Sequence, residues 1–216
     1  MITVRELGVT AYSDALERMR RHVAARAADR DAMGDEIWLT EHPPVFTLGF
    51  ASRPEHLRTP GTIAVVETER GGQVTYHGPG QVVAYALLDL RKRKLGVRSL
   101  VCRLEEGIIR CLAGYGIAAV RRPGAPGIYV RPRLPEATTS PAKIASIGLK
   151  VSRGLTWHGV ALNGLMDLEP FSRIDPCGYP GQVMTDVAHE ADPGVPVDPR
   201  DLAQRLASEL VGAIEG

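Results

Sequence analysis

The feature that most constrains this chain is a glycine-rich stretch set between two apolar runs. It reads Arg70, Gly71, Gly72, Gln73, Val74, Thr75, Tyr76, His77, Gly78, Pro79, Gly80 and Gln81. Thr62-Ile63-Ala64-Val65-Val66 precedes it and Val82-Val83-Ala84-Tyr85-Ala86-Leu87-Leu88 follows it. Short apolar runs bounded by turn formers predict two buried strands, with the stretch between them as a loop. Glycine tolerates positive φ and lets a backbone come close to another group, so this loop is expected to present N–H groups to a ligand. An ordinary hairpin would use its glycines for turn geometry alone. Arg70, Tyr76 and His77 held between hydrophobic strands point instead to function, which concentrates on loops carried by rigid elements.

A chain of 216 residues is long enough to bury a sizeable core. Its 44% hydrophobic and 24% charged residues are those of a globular protein, and a net charge of +1 supplies no broad attraction to nucleic acid or an anionic membrane. No apolar run approaches the ~20 residues of a membrane helix, and Met1-Ile2-Thr3-Val4-Arg5-Glu6 lacks the basic-then-apolar order of a secretion signal. A cytoplasmic protein is expected. Three cysteines, Cys102, Cys111 and Cys177, do not make a disulfide framework, so each thiol is judged by its neighbours. Lysine is rare beside arginine, occurring at Lys92, Lys94, Lys143 and Lys150, which hints that a lysine in a special setting is wanted for its titratable amine.

Periodicity predicts a helix over 12–30, with Tyr12, Leu16, Met19, Val23 and Ala27 on its buried face and Gly34 ending it. Strands are expected at 37–39 and 45–48, around Glu41-His42-Pro43-Pro44, where His42 faces a site or decorates a turn. Arg91-Lys92-Arg93-Lys94 reads as a solvated face or a contact for an acidic partner. A second helix, over 98–114, is opened by Ser99 and closed by Gly114; Val101, Leu104, Ile108, Cys111 and Tyr115 form its apolar face. A turn at Pro123–Gly127 leads to a strand over 128–130, and Pro132, Pro135 and Pro141 bracket a surface loop at 137–140. The strand 143–151 turns at Ser152-Arg153-Gly154 into a second strand, 155–163. Asp198 and Pro199 open a last helix whose stripe is Leu202, Leu206, Leu210 and Ile214. Strands scattered among three helices predict an α/β (α+β) fold, a mixed sheet flanked by helices, with residues 1–216 as one domain.

Cys177 lies in Ile174-Asp175-Pro176-Cys177-Gly178-Tyr179-Pro180-Gly181, a segment without apolar periodicity, so it is either an approachable nucleophile or a small buried filler. A reactive thiol must ionise, and the candidate cations are Lys143, His77 and His158. Strict alternation from 143 would put Lys143, Ala145 and Ile147 on one face. Partial burial there would depress the amine toward the range useful for proton transfer; the alternative is a strand-end lysine in solvent. A carboxylate at Asp175 would oppose ionisation of the thiol unless directed away. No histidine pair has HExxH spacing and no cysteine pair has CxxC spacing, so no metal is expected. Neither GxxxxGK[ST] nor GxGxxG occurs, which leaves ATP or dinucleotide use without support.

Taken together, residues 70–81, Lys143-Ile144-Ala145-Ser146-Ile147-Gly148, His158-Gly159-Val160-Ala161-Leu162-Asn163 and Pro176-Cys177-Gly178 resemble the lipoyl(octanoyl) transferase family, in that family's order. The resemblance implies the fold shared by biotin and lipoate protein ligases. It implies that Cys177 takes an octanoyl group from the phosphopantetheine thioester of octanoyl-acyl-carrier-protein, and that Lys143 lowers the thiol pKa and shuttles the proton. It assigns substrate binding to Arg70 through His77, to Ser146, Ile147 and Gly148, and to Gly159, Val160 and Ala161. The acceptors implied are lipoyl domains of 2-oxo acid dehydrogenases and the glycine cleavage H protein, with no cofactor, nucleic acid or membrane. Backbone N–H groups near Gly148, Gly159 and Gly178 are the expected oxyanion donors. An ATP-dependent lipoate or biotin protein ligase is the alternative enzyme, and a non-catalytic acyl-binding module the alternative of another class.

Overall fold

The computed structural model describes residues 1–131 and 141–216. The expected surface loop at 137–140 lies outside the described residues. Seven strands make the main sheet, in the order β1 (Ile2–Val9), β2 (Asp35–Glu41), β6 (Gln81–Leu87), β10 (Leu155–Asn163), β9 (Ala142–Ser152), β8 (Ile128–Val130) and β7 (Ala119–Arg121). Only β1 and β2 run parallel, so the sheet is mixed. A smaller sheet orders β4 (Ala64–Glu67), β3 (Val45–Leu48) and β5 (Thr75–His77).

The central strands β6 and β10 are buried along their whole length because helices cover both faces. That is why β6 reads as a continuous apolar run rather than an alternating one, while β10 carries Thr156, His158 and Asn163 as buried polar residues. On one face α2 (Val97–Ala113) and α4 (Pro199–Glu215) pack Leu104, Ile108, Leu206 and Leu210 against Ile37, Ala84, Val160 and Leu162. On the other, α1 (Tyr12–Ala28) packs Tyr12, Leu16 and Met19 against Trp38, Val83, Tyr85 and Trp157. A third core, with Phe46, Val74, Tyr76, Phe171 and Ile174, lies against the small sheet. A one-turn helix, α3 (Val187–Glu190), precedes α4. The Asp198 carboxylate accepts from the Arg200 and Asp201 N–H groups, capping α4 as its sequence predicts, and Leu202, Leu206, Leu210 and Ile214 are all buried.

Several local expectations change. The run at 62–66 becomes β4, a mostly exposed edge strand, because it pairs only with β3 in the small sheet. Residues 70–81 therefore link two sheets, and the middle of the stretch is itself the buried strand β5. Helix α1 stops at Ala28, well short of Gly34. Its stripe ends on Arg26 rather than Ala27, since the Arg26 guanidinium donates to Leu87 O at 3.1 Å and to Asp35 at 2.8 Å. Helix α2 begins after Gly96 with no side-chain cap, which leaves Ser99 inside its first turn.

The cluster at 91–94 follows β6, beside Gly154 of the β9–β10 hairpin, where Leu90 N–H donates to Gly154 O. Lys92 pairs with Asp31 and Arg93 with Asp35. Lys143 stands near the other end of β9, a strand length of about 30 Å away at ~3.3 Å per residue.

Candidate active site

Cys177 sits on a single 3₁₀ turn, Pro176–Gly178, with left-handed backbone angles (φ 57°, ψ 19°). A non-glycine residue there is under strain, and such strain concentrates at functional sites. Gly178 follows at φ 76°, a conformation that suits glycine. The turn is pinned to the glycine-rich segment by the Cys177 N–H, which donates to Val74 O at 3.1 Å. The Gly178 N–H donates to Asp175 O at 2.9 Å and is therefore not free to serve an oxyanion. After the turn the chain runs back along β9. Lys143 N–H donates to Val183 O, and Thr185 N–H to Lys143 O, so the segment after Cys177 brackets the backbone of Lys143.

This brings two residues 34 positions apart into contact. The Lys143 ammonium donates to Cys177 Sγ at 3.1 Å and to Pro126 O at 3.0 Å. Its side chain is 2% exposed, which rules out a solvated strand-end lysine. The expected face is corrected too. Register against β8 shifts, so that Ala145 opposes Ile128 while Lys143 opposes Tyr129. With this bulge at Ile144, Ala145 and Ile147 pack into the α2–α4 core while Lys143 turns to the opposite side. Nor is the amine depressed. Burial pulls its pKa down, but the negative charge of Cys177 and then the phenol of Tyr129 outweigh that and leave it above the ordinary lysine value.

The two histidines proposed as alternative cations are neutral. Burial holds His77 well below its ordinary value and pushes His158 down to about 3. Asp175 lies 3.2 Å from His56 Nδ1 and 3.6 Å from the Arg58 guanidinium, a cation that faces its carboxylate.

A cavity reaches Cys177 between the glycine-rich segment and the main sheet. Arg70, Gly71, Gly72, Gln73, Thr75 and His77 line one side; Ser146, Ile147, Gly148, Gly159, Val160 and Ala161 line the other. Val74 and Tyr76 do not join them, because alternation along β5 turns them into the third core. Arg70 is buried and shapes the segment from within, donating to Thr47 O and Gln73 O at 2.7 Å and to Gly71 O at 3.1 Å. The Gly71 N–H donates to Leu149 O at 2.8 Å, which ties the segment to β9. This approach favours glycine at 148, where a Cβ would stand 3.0 Å from Gly71 O and the segment would have to give by a few tenths of an ångström.

The family follows from comparison. The lipoyl protein ligase A/B catalytic domain model matches residues 11–211. An octanoyltransferase of Pseudomonas entomophila is 49% identical over 211 residues, covering 98% of this chain and 91% of that protein. One from Pseudomonas putida is 51% identical over 207 residues, covering 96% and 89%. The chain belongs to the octanoyltransferase family. It is accordingly an acyltransferase.

Solved structures agree on the architecture. A bi-partite lipoate protein ligase from Thermoplasma acidophilum superposes with a TM-score of 0.69 at 13% identity, covering 100% of this chain and 85% of that one. A biotin protein ligase from Aquifex aeolicus gives 0.55 at 11%, covering 99% and 69%. The fold is therefore the biotin/lipoate protein ligase-like mixed sheet with flanking helices. Among the described residues no helix is long and apolar enough to cross a membrane, and no group of three His, Cys, Asp or Glu side chains is placed to hold a metal.

The octanoyltransferase cavity also has walls that sequence reasoning did not assign. Tyr12 from α1, Val83 and Tyr85 from β6, and His158 from β10 line it. Periodicity marks the first three as core without showing that the core is hollow there. His158 reaches the cavity through a left-handed backbone (φ 60°), which swings its ring to the α1 side, near Tyr85 and Trp157. Ladder pairing with β6 resumes only at Gly159; just before the swing, Thr156 Oγ1 donates to Ala86 O and accepts from Leu88 N–H. His42 lies behind the cavity rather than on a turn, bonded to Thr10 O and the Tyr85 hydroxyl. Cys111 is buried in the α2–α4 core with its thiol pushed up to about 12 by burial, whereas Cys102 is exposed.

Proposed function

We propose that this enzyme moves an octanoyl group from the thioester of an acyl carrier protein to a lysine on lipoyl domains, through a thioester on Cys177. The single observation that carries the reading is the buried Lys143 ammonium 3.1 Å from Cys177 Sγ, beside a cavity that reaches the sulfur. An ammonium that close compensates negative charge on sulfur.

In the first half-reaction the Cys177 sulfur attacks the donor carbonyl. An S–C bond forms, the carrier's S–C bond breaks, and Lys143 gives its proton to the departing carrier sulfur. In the second half an acceptor amine attacks the acyl-enzyme. The neutral Lys143 takes the proton that the amine nitrogen sheds, an amide forms, and the Cys177 thiolate leaves. Because the donor is already a thioester, no ATP enters.

Arg70 to Gln73, Thr75 and His77, together with Ser146, Ile147, Gly148, Gly159, Val160 and Ala161, bind the acyl group along the cavity; Val74 and Tyr76 support that wall from behind. The acceptors are lipoyl domains of 2-oxo acid dehydrogenases and the glycine cleavage H protein, in the cytoplasm, and residues 1–216 act as one catalytic domain. The test is intact mass of wild type and Cys177→Ala after incubation with octanoyl-carrier protein and no ATP. An octanoyl adduct on the wild type, absent from the variant and discharged by a lipoyl domain, is expected. No adduct, with transfer only from free acid and ATP, would replace this reading by a ligase.

A further inference from the structure

We propose that Tyr129 is a positioning residue whose hydroxyl orients the amine of Lys143 for both proton transfers; the proposal rests on the acyl-transfer reading above. Tyr129 stands opposite Lys143 across the β8–β9 ladder, with the Lys143 nitrogen 5.3 Å from its ring centroid. The residue is 1% exposed, and its hydroxyl is buried without a hydrogen-bond partner among the described residues. A buried tyrosine hydroxyl ordinarily finds a partner, and a phenylalanine would fill the same space with no polar atom to satisfy. The polar group that bears most on this hydroxyl is the Lys143 amine.

The tetrahedral geometry of the lysine nitrogen says what that use is. Beyond its carbon the ammonium has three hydrogens, and Pro126 O and Cys177 Sγ take two of them. Tyr129 is the remaining neighbour that bears on Lys143, after the Cys177 sulfur, and burial keeps its phenol neutral, so it can serve as a hydrogen-bond acceptor. In the ammonium state the third hydrogen is left to turn toward the phenol oxygen, a contact that tightens to a hydrogen bond as the proton transfers proceed. Once Lys143 has protonated the departing carrier sulfur, the amine keeps two hydrogens. Holding these on Pro126 O and the Tyr129 oxygen points its lone pair at the site of Cys177 and the incoming amine. That lone pair then accepts the proton shed as the amide forms, the Cys177 thiolate leaves, and the starting ammonium–thiolate pair is restored.

The other charged groups around this pair stay the same when Tyr129 is replaced. Arg122 lies 5.9 Å from the centre of the Tyr129 ring. Glu105 on α2 accepts the Gly127 N–H and pairs with Arg121 at 3.3 Å, and Arg70 bears on the Cys177 charge from the cavity wall. A difference between wild type and Tyr129→Phe thus reports the hydroxyl.

The experiment follows alkylation of Cys177 by iodoacetamide from pH 5 to 10, read as the mass of its own peptide so that Cys102 does not interfere. It also follows discharge of the octanoyl-enzyme by a lipoyl domain. For Tyr129→Phe the alkylation profile should move up by about one pH unit and discharge should slow about tenfold, the size of one charge-assisted hydrogen bond. The melting temperature should stay where it is. Superimposable profiles with discharge at the wild-type rate would overturn the proposal, and so would a lowered melting temperature with an unmoved profile. Alkylation needs no acyl donor, so it tests Tyr129 even if no octanoyl adduct forms, a result that would count against the acyl-transfer reading instead.

Discussion

Arg70→Met should unfasten the glycine-rich wall of the cavity. The guanidinium makes five hydrogen bonds, all to carbonyl or hydroxyl oxygens. Methionine keeps much of the volume and removes every donor, leaving the Thr47, Gly71 and Gln73 carbonyls to find other partners. A buried acceptor without a partner costs about 1–3 kcal/mol. Against this, the arginine is itself costly to bury, and burial holds its pKa below the ordinary value; methionine relieves that penalty. The difference comes to about 3 kcal/mol net. For a chain of 216 residues each kcal/mol moves the melting temperature by about 2–4 °C, so scanning calorimetry should show a fall of roughly 6–12 °C. Arg70→Lys, which keeps the charge but loses the planar fork, should fall between the two. Acyl-enzyme formation should slow in both variants, since Gly71 and Gln73 line the cavity. A methionine variant that melts within 2 °C of wild type and acylates at its rate would refute the claim that Arg70 holds this wall.

Stability should fall as pH drops below about 6.5, where an unfolded histidine takes up a proton, toward about 3, where folded His158 does; the unfolded state binds more protons throughout that window. His158→Asn, which tolerates the left-handed backbone, should flatten denaturation midpoints over pH 4–6.5 by up to about 1.4 kcal/mol per pH unit, and identical slopes would show that His158 titrates normally. Alkylation of the native protein should modify Cys102 and Cys177 and spare Cys111 until it is unfolded, as peptide mapping can show. Labelling of Cys111 as fast as Cys102 would contradict the packing of α2 against α4.

Much of the framework was legible from residue order. The apolar run at 82–88 and the hairpin strand expected over 155–163 became the two central strands, and the Asp198-Pro199 start with its leucine stripe became α4. These signals are local: periodicity, capping and continuous burial are written in neighbouring residues. The run at 62–66 misled because five apolar residues look alike whether they end in a core or at a sheet edge. Arg26 escaped notice because its burial depends on Asp35 and Leu87 O, supplied by other elements.

The sequence alone determined which chemical groups the site has to work with: a thiol at 177, an amine at 143 and a glycine-rich segment at 70–81. Their motif order pointed to a family, since residue identity and spacing are inherited directly. Tertiary structure decided how those groups are used. A bulge at Ile144 turned Lys143 away from the core and toward Cys177, and a left-handed residue turned His158 into the cavity. Pairing of residues 183–185 with β9 closed the gap of 34 positions to 3.1 Å. Side-chain direction in a strand reverses with one inserted residue or one changed φ, and proximity across the chain depends on which strands pair. Neither is carried by any short run of residues.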